Sequence, residues 1–165
     1  MIRPIFYRCC GLALSILVSQ PLMAQAQSDR EQILATVDAF FQALADADRN
    51  ALLALTLPGS LTVSTTPAGT PGPGLRMQNY SQLLNNLSRG GAALLERYWD
   101  PTVLIEGDIA VFWAPYDFHV DGNFSHCGID SFQLARQDQQ WLLSNLSWTV
   151  QRQGCAPSPL GAVTP

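Results

Sequence analysis

Two hydrophobic periods divide the chain. Between residues 29 and 45 the apolar positions Ile33, Val37, Phe40, Phe41 and Leu44 recur at helical spacing and make one face of an amphipathic helix. Ser28 and Glu31 precede that face as an S-x-x-E capping box, in which each side chain satisfies a free backbone N–H at the helix start. A second, short helix is predicted over 50–55, stopped by Pro58-Gly59. A third is predicted over 78–88, with Tyr80, Leu83, Leu84 and Leu87 on one side and Gly90-Gly91 behind it. Between them, residues 57–75 carry Pro58, Pro67, Pro71 and Pro73 interleaved with Gly59, Gly69, Gly72 and Gly74. Such a stretch cannot hold a long ladder, although "SLTVST" within it reads as a brief strand. A loop of this length in a compact domain is either a lid or an insertion without fixed structure, and both readings stay open.

After residue 92 the period changes to two. "ALLERYW", "TVLIE", "DIAVFWAPYDFHV", "NFSHCGIDSFQLAR" and "QWLLSNLSWTVQ" are separated by Asp100-Pro101, Glu106-Gly107-Asp108, Asp121-Gly122 and Gln137-Asp138-Gln139. Asp-Gly between two alternating runs is a strong signal for a tight hairpin. Helices followed by successive strands predict an α+β domain, with the N-terminal helices packed on one face of a curved antiparallel sheet.

With Asp121-Gly122 at the hairpin tip, Asp117 falls opposite His126, and Trp113 falls opposite Asp130. Trp113, Asp117, His126, Asp130 and Phe132 then share one face, with Trp141 and Asn145 joining from the last strand. Phe112, Tyr116, Phe118, Cys127 and Trp148 take the other, in a register that a bulge near Pro115 or Gly128 would shift. The first face is therefore the expected pocket wall. Trp113 supplies a stacking surface there, and Asp117, His126, Asp130 and Asn145 supply polar contacts to a ligand. If the protein is an enzyme, His126 and Asp130 are the expected acid–base pair. An Asp–His hydrogen bond with a purely structural role fits the same residues. The other face, through Phe112, Tyr116, Phe118 and Trp148, is the expected contact surface of an interaction module.

Composition narrows this further. The 165 residues are 47% apolar and 13% charged, with a formal charge of −4. All nine basic residues are arginines, which excludes a Schiff-base lysine and argues against a nucleic-acid partner. The start, "MIRPIFYRCCGLALSILVSQPLMAQAQS", has a basic n-region, a short apolar core and small residues at Ala24 and Ala26. It predicts a bacterial-type secretory signal over 1–26, hence a periplasmic or secreted protein with no membrane contact after cleavage. Cleavage removes Arg3 and Arg8, leaving seven arginines against thirteen acids, a charge of −6.

Cys127 and Cys155 are then the remaining cysteines, and in an exported chain they are most simply a disulfide. Cys127 and His126 are adjacent in a strand and point to opposite faces, so the case for a Cys–His nucleophile is weak. His119 and His126 lack the ligand spacing of a zinc site, so no metal is expected. No P-loop, dinucleotide fingerprint or nucleophile elbow occurs, so no cofactor is expected either. One domain is expected over 28–155, with an irregular tail over 156–165.

The order helix, helix, loop, helix, long sheet resembles the nuclear transport factor 2-like superfamily, the cone-shaped α+β fold of ketosteroid isomerases and SnoaL-like cyclases. The densest part is 107–155, with "GDIAV", "WAPYDF" and "SHCGID". These runs are similar to exported members labelled lumazine-binding. The resemblance implies a pocket between the helices and the concave sheet face, a small-molecule ligand, and a homodimer through the sheet. It carries no catalytic residue over to this chain, since the superfamily includes enzymes, binders and interaction modules.

Overall fold

The computed structural model describes residues 28–69, 72–87 and 91–163. The expected signal segment, 1–26, lies outside the described residues, as does Ser88 at the end of the third predicted helix.

Helix α1 spans Asp29–Ala45 and starts on the predicted capping box: the Ser28 N–H donates to Glu31 Oε2 at 2.8 Å, and the Glu31 N–H donates to Ser28 Oγ at 3.4 Å. Its predicted face is buried, with Ala43 added. Helix α2, Arg49–Ala54, is capped by the Asp48 carboxylate. Strand β1 follows at Thr56–Thr65, then β2 at Arg76–Asn79 and α3 at Tyr80–Leu87. The third helix is thus shorter than predicted, because residues 76–79 pair as a strand with β1. The remaining strands are β3 (Leu94–Tyr98), β4 (Thr102–Glu106), β5 (Ile109–Val120), β6 (Asn123–Gln137) and β7 (Gln140–Thr149).

All seven strands form one sheet in the order β2-β1-β7-β6-β5-β3, with β4 also paired to β5. The sheet is mixed and not wholly antiparallel: β1 runs parallel to β7. Pro58-Gly59 sits where that pairing slips between Thr56 and Leu61, and "SLTVST" supplies the regular part. Beyond it, Thr66 and Gly74 close the Pro/Gly segment with a backbone hydrogen bond of 3.2 Å.

Two bulges set which side chains face the helices. The tip of the β5–β6 hairpin pairs as predicted, Val120 with Asn123 and His119 with Phe124. The register then slips by one residue at Ser125, so Phe118 meets His126 and Asp117 meets Cys127. A second slip, at Ser144, lies between the Leu134–Leu143 and Gln133–Asn145 pairs. The inner face consequently carries Phe112, Ala114 and Tyr116 of β5 with Asp130, Phe132 and Leu134 of β6. On β7, Trp141 and Leu143 face inward before the bulge, and Leu146 and Trp148 after it.

The helices lie over this face and close the core, with Phe40 edge-on and Phe41 tilted against Phe132, each at 5.9 Å between ring centres. Arg136 ties the start of α1 to the sheet: it donates to Asp29 at 2.6 Å while its guanidinium lies 4.6 Å above the Trp141 ring. Among the described residues no helix is long and apolar enough to cross a membrane.

The tail beyond β7 forms neither helix nor strand up to residue 163, apart from a single bridge of Gln151 to Cys127. A disulfide joins Cys127 to Cys155 and pins this segment across the outer face of the sheet. Closing a loop with a separation of 28 residues contributes about 3 to 4 kcal/mol. Beside it, Gly128 passes so close to the Thr149 carbonyl that a Cβ there would collide with it. That close approach is what requires glycine at this point of β6.

Candidate functional site

A cavity of about 240 Å³ opens between the helices and the inner face. Phe40 and Leu44 of α1 and Leu83 and Leu87 of α3 form its roof. Its floor is built from Tyr116 and Phe118 of β5, Phe132 of β6, and Leu146 and Trp148 of β7. Three ionisable side chains enter this apolar enclosure beside Tyr116: Glu96, His126 and Asp130.

Their placement follows from alternation. Leu94, Glu96 and Tyr98 share the inner side of β3, with Glu96 opposite Phe118. Asp130 sits opposite Ala114 on one side and Trp148 on the other. His126 stacks on Phe118 with ring centres 4.9 Å apart and lies edge-on to Tyr116 at 5.7 Å.

Asp130 is 1% exposed, and among the described residues no N–H and no hydroxyl group reaches either of its oxygens. Its polar neighbour is the Glu96 carboxyl, to which it hydrogen-bonds, so a shared proton is what satisfies the pair. Burial pushes the Asp130 carboxyl well above the carboxylate range, and the Glu96 charge adds to the effect. Burial also pushes Glu96 up, with the Asp130 hydrogen bond partly offsetting it and the Asp117 charge reinforcing it, to about 8. The two titrate as a unit that keeps at least one proton at neutral pH.

His126 goes the other way. Desolvation lowers it to about 4, with the Arg152 charge assisting, so the imidazole is neutral. Its Nδ1 lies 3.0 Å from Ser125 Oγ. Tyr116 is held firmly protonated, first by burial and then by the Asp130 and Glu96 charges, and its hydroxyl donates to the Thr149 carbonyl at 2.8 Å. The cavity therefore combines a carboxyl pair that stores a proton, a neutral imidazole and aromatic walls. It can hold a small polar head inside an apolar body, or pass a proton.

Of the five residues expected in the pocket, His126 and Asp130 line it and three do not. Trp113 is 50% exposed on the outer face, because the slip at Ser125 turns the odd positions of β5 away from the helices. Asn145 is turned outward by the slip at Ser144, where it bonds Gln133 and the Leu61 N–H. Asp117 is also on the outer side, beneath the tail. There burial opposes its charge, but two Arg97 hydrogen bonds at 2.6 and 2.9 Å, with the Ser158 hydroxyl, prevail and hold its pKa below the usual value. His119 lies 3.4 Å from it. The same two slips bring Phe112, Tyr116, Phe118 and Trp148 inward, so the contact surface expected from them does not exist on the outer side.

Glu96 is the site residue that sequence reasoning missed. Its signal was present, since in "LLERY" it shares a side with Leu94 and Tyr98, an acid at an apolar position.

No protein-family model matches the chain, and no curated protein matches it. Solved structures do match. One is a nuclear transport factor 2-like protein from Cytophaga hutchinsonii, 16% identical, with a TM-score of 0.62 over 75% of this chain and 99% of that one. The chain has the nuclear transport factor 2-like fold. A proposed dehydratase of that family from Streptomyces avermitilis matches at 16% identity and TM-score 0.58, over 73% of this chain and 94% of that one. A protein from Xanthomonas campestris, described as a candidate calcium/calmodulin-dependent protein kinase II association domain, matches at 20% identity and 0.59, over 79% and 93%. At these identities the likeness concerns the fold, and the chemistry has to come from the cavity.

The carboxyl pair leaves a signature in stability. Its folded-state pKa values lie above those of the unfolded chain, so its contribution is fully present at about pH 4 and is lost as pH rises through about 8. A Glu96→Gln/Asp130→Asn variant lacks this loss. Its stability relative to the unsubstituted protein is expected to rise between pH 4 and 8, by at most about 1.4 kcal/mol per pH unit for each proton. Denaturant melts across that range check it, and a constant difference would mean that the carboxyls ionise normally.

Proposed function

We propose that the chain is an exported protein that holds a small, partly apolar ligand in the cavity between the helices and the inner sheet face. The observation that carries this reading is an apolar cavity with Asp130 buried in it, whose carboxyl has no partner among the described residues beyond the Glu96 carboxyl. A polar group so placed is costly unless something bonds it, and a ligand head can. The volume of about 240 Å³ limits that ligand to a one- or two-ring compound. The N-terminal signal pattern and the Cys127–Cys155 bridge support an oxidising compartment outside the cytoplasm.

Native mass spectrometry of protein purified from the periplasm or medium tests both parts. A retained small molecule and loss of residues 1–26 are expected. Asp130→Asn and His126→Ala should each weaken the retained compound about tenfold or more without lowering the thermal midpoint by more than a few degrees. Melts that collapse in both variants with the ligand still held would assign the pair to the scaffold.

A second reading, acid–base catalysis of the isomerase or cyclase type, is favoured by one feature. Glu96 is raised to about 8 in a site that also contains a neutral imidazole, which suits proton transfer near neutral pH. If the retained compound is turned over, its pH–rate profile should show a limb near 8 that disappears in Glu96→Gln. A limb that survives excludes Glu96 as the transferring group.

A homodimer through the outer face completes the proposal. Leu104 and Ile109 are 65% and 64% exposed there, on the same face of β4 and β5 as Trp113. A patch of this kind is best covered by another protein surface. Light scattering is expected to give twice the chain mass, reduced to the monomer by Trp113→Asp with the ligand retained. A monomer before substitution removes this part.

A further inference from the structure

The charge pattern of the cavity narrows the ligand's chemistry, provided that the cavity binds a ligand at all. Among the described residues lining it, two are acids and none is basic. Arg97 follows Glu96 directly in β3 but projects to the opposite side of the sheet, where Asp117 and the Gly161 carbonyl occupy it. Asp38, the acid that α1 directs toward β3, is engaged by the Tyr98 hydroxyl at 2.7 Å. His126 is held neutral, Tyr116 has spent its proton on Thr149, and Arg152 acts on both only through its charge. From β5, the Asp117 charge further disfavours ionised Glu96. The described parts of α3 and β7 that line the cavity bring only apolar side chains.

Among the described residues the carboxyl pair thus has no counter-ion in the cavity, and a proton fills the role. The rest of the enclosure suits a different cation. Trp148, Tyr116, Phe118, Phe40 and Phe132 surround the space, and aromatic faces attract ammonium and amidinium groups. We propose that the cavity selects a small organic cation, a protonated amine or amidine on an apolar ring, with its N–H groups on Glu96 and Asp130 and its ring among the aromatic walls. Binding exchanges the proton held by the pair for the ligand's positive charge, and that proton goes to the buffer. A planar amidinium matches a carboxyl pair with two donors in a fixed fork.

The test uses benzamidinium and its neutral isostere benzamide, titrated calorimetrically into the protein at pH 6 and pH 9. Benzamidinium should bind at least about tenfold more tightly than benzamide, and its affinity should rise about tenfold or more between the two pH values. Proton release should appear as a dependence of the observed heat on the buffer's ionisation enthalpy. Glu96→Gln and Asp130→Asn should each remove the preference. Trp148→Leu leaves the carboxyls in place and should weaken benzamidinium several-fold more than benzamide. Benzamide binding equally well, or affinity for benzamidinium falling with pH, overturns the cation while leaving a ligand cavity standing. If neither probe binds the folded protein, the cavity reading falls as well.

Discussion

Twelve residues of β5 run against fifteen of β6, and one unpaired residue near their shared turn decides what the helices cover. Side chains alternate along a strand, so the slip at Ser125 exchanges every β5 residue between the faces relative to β6. It aligns the aromatic positions Phe112, Tyr116 and Phe118 with His126, Asp130 and Phe132 on one side. The slip at Ser144 then keeps Leu146 and Trp148 on that same side, beyond Trp141 and Leu143. Without these two residues the inner face would lose three of the aromatic walls and gain Asp117 and Asn145. The helices α1 and α3 could not close over such a surface without burying more polar groups than it can pair.

The same alternation sorts the charges. Glu96 and Arg97 are neighbours in β3 and go to opposite faces. Arg97 meets Asp117 across the β3–β5 ladder, and the tail, fixed by Cys127–Cys155, covers the pair and adds the Gly161 carbonyl. Glu96 is left with Asp130 and, among the described residues lining the cavity, no arginine. Two aspartates of one hairpin thereby acquire opposite character. Asp117 is held below the usual carboxylate pKa because its guanidinium partner outweighs burial, while burial, with no such opponent, pushes Asp130 well above it. Outside, an ion pair fastens the tail to the sheet; inside, two acids share a proton in an apolar space.

The parts of this arrangement that depend on local chemistry were legible in the sequence. The capping box, the buried stripe of α1, the Asp121-Gly122 turn and the pairing of the two cysteines all follow from residues close together or few in number. The faces of the hairpin were not legible, because a bulge at a serine leaves no mark in composition; Ser125 and Ser144 look like ordinary strand residues. Trp113, Asp117 and Asn145 were misplaced for this reason, and Tyr116, Phe118 and Trp148 with them. The parallel pairing of β1 with β7 joins segments some eighty positions apart, which no local pattern encodes. Glu96 is a different case. Its position between Leu94 and Tyr98 marked it as an acid on an apolar face, but its importance appears only when Asp130 is placed beside it.

The energetics of the pair bear directly on selectivity. Holding Asp130 protonated at neutral pH means that the fold retains an ionisable group in a form its surroundings impose. A ligand that supplies donors or positive charge relieves that constraint, whereas an apolar ligand of the same shape leaves the pair with nothing but its shared proton. Sites built this way reject the analogue lacking the polar group far more strongly than they reject a missing methylene. In the proposed reading the apolar walls set how large the ligand is, while Glu96 and Asp130 determine which ligand of that size is held.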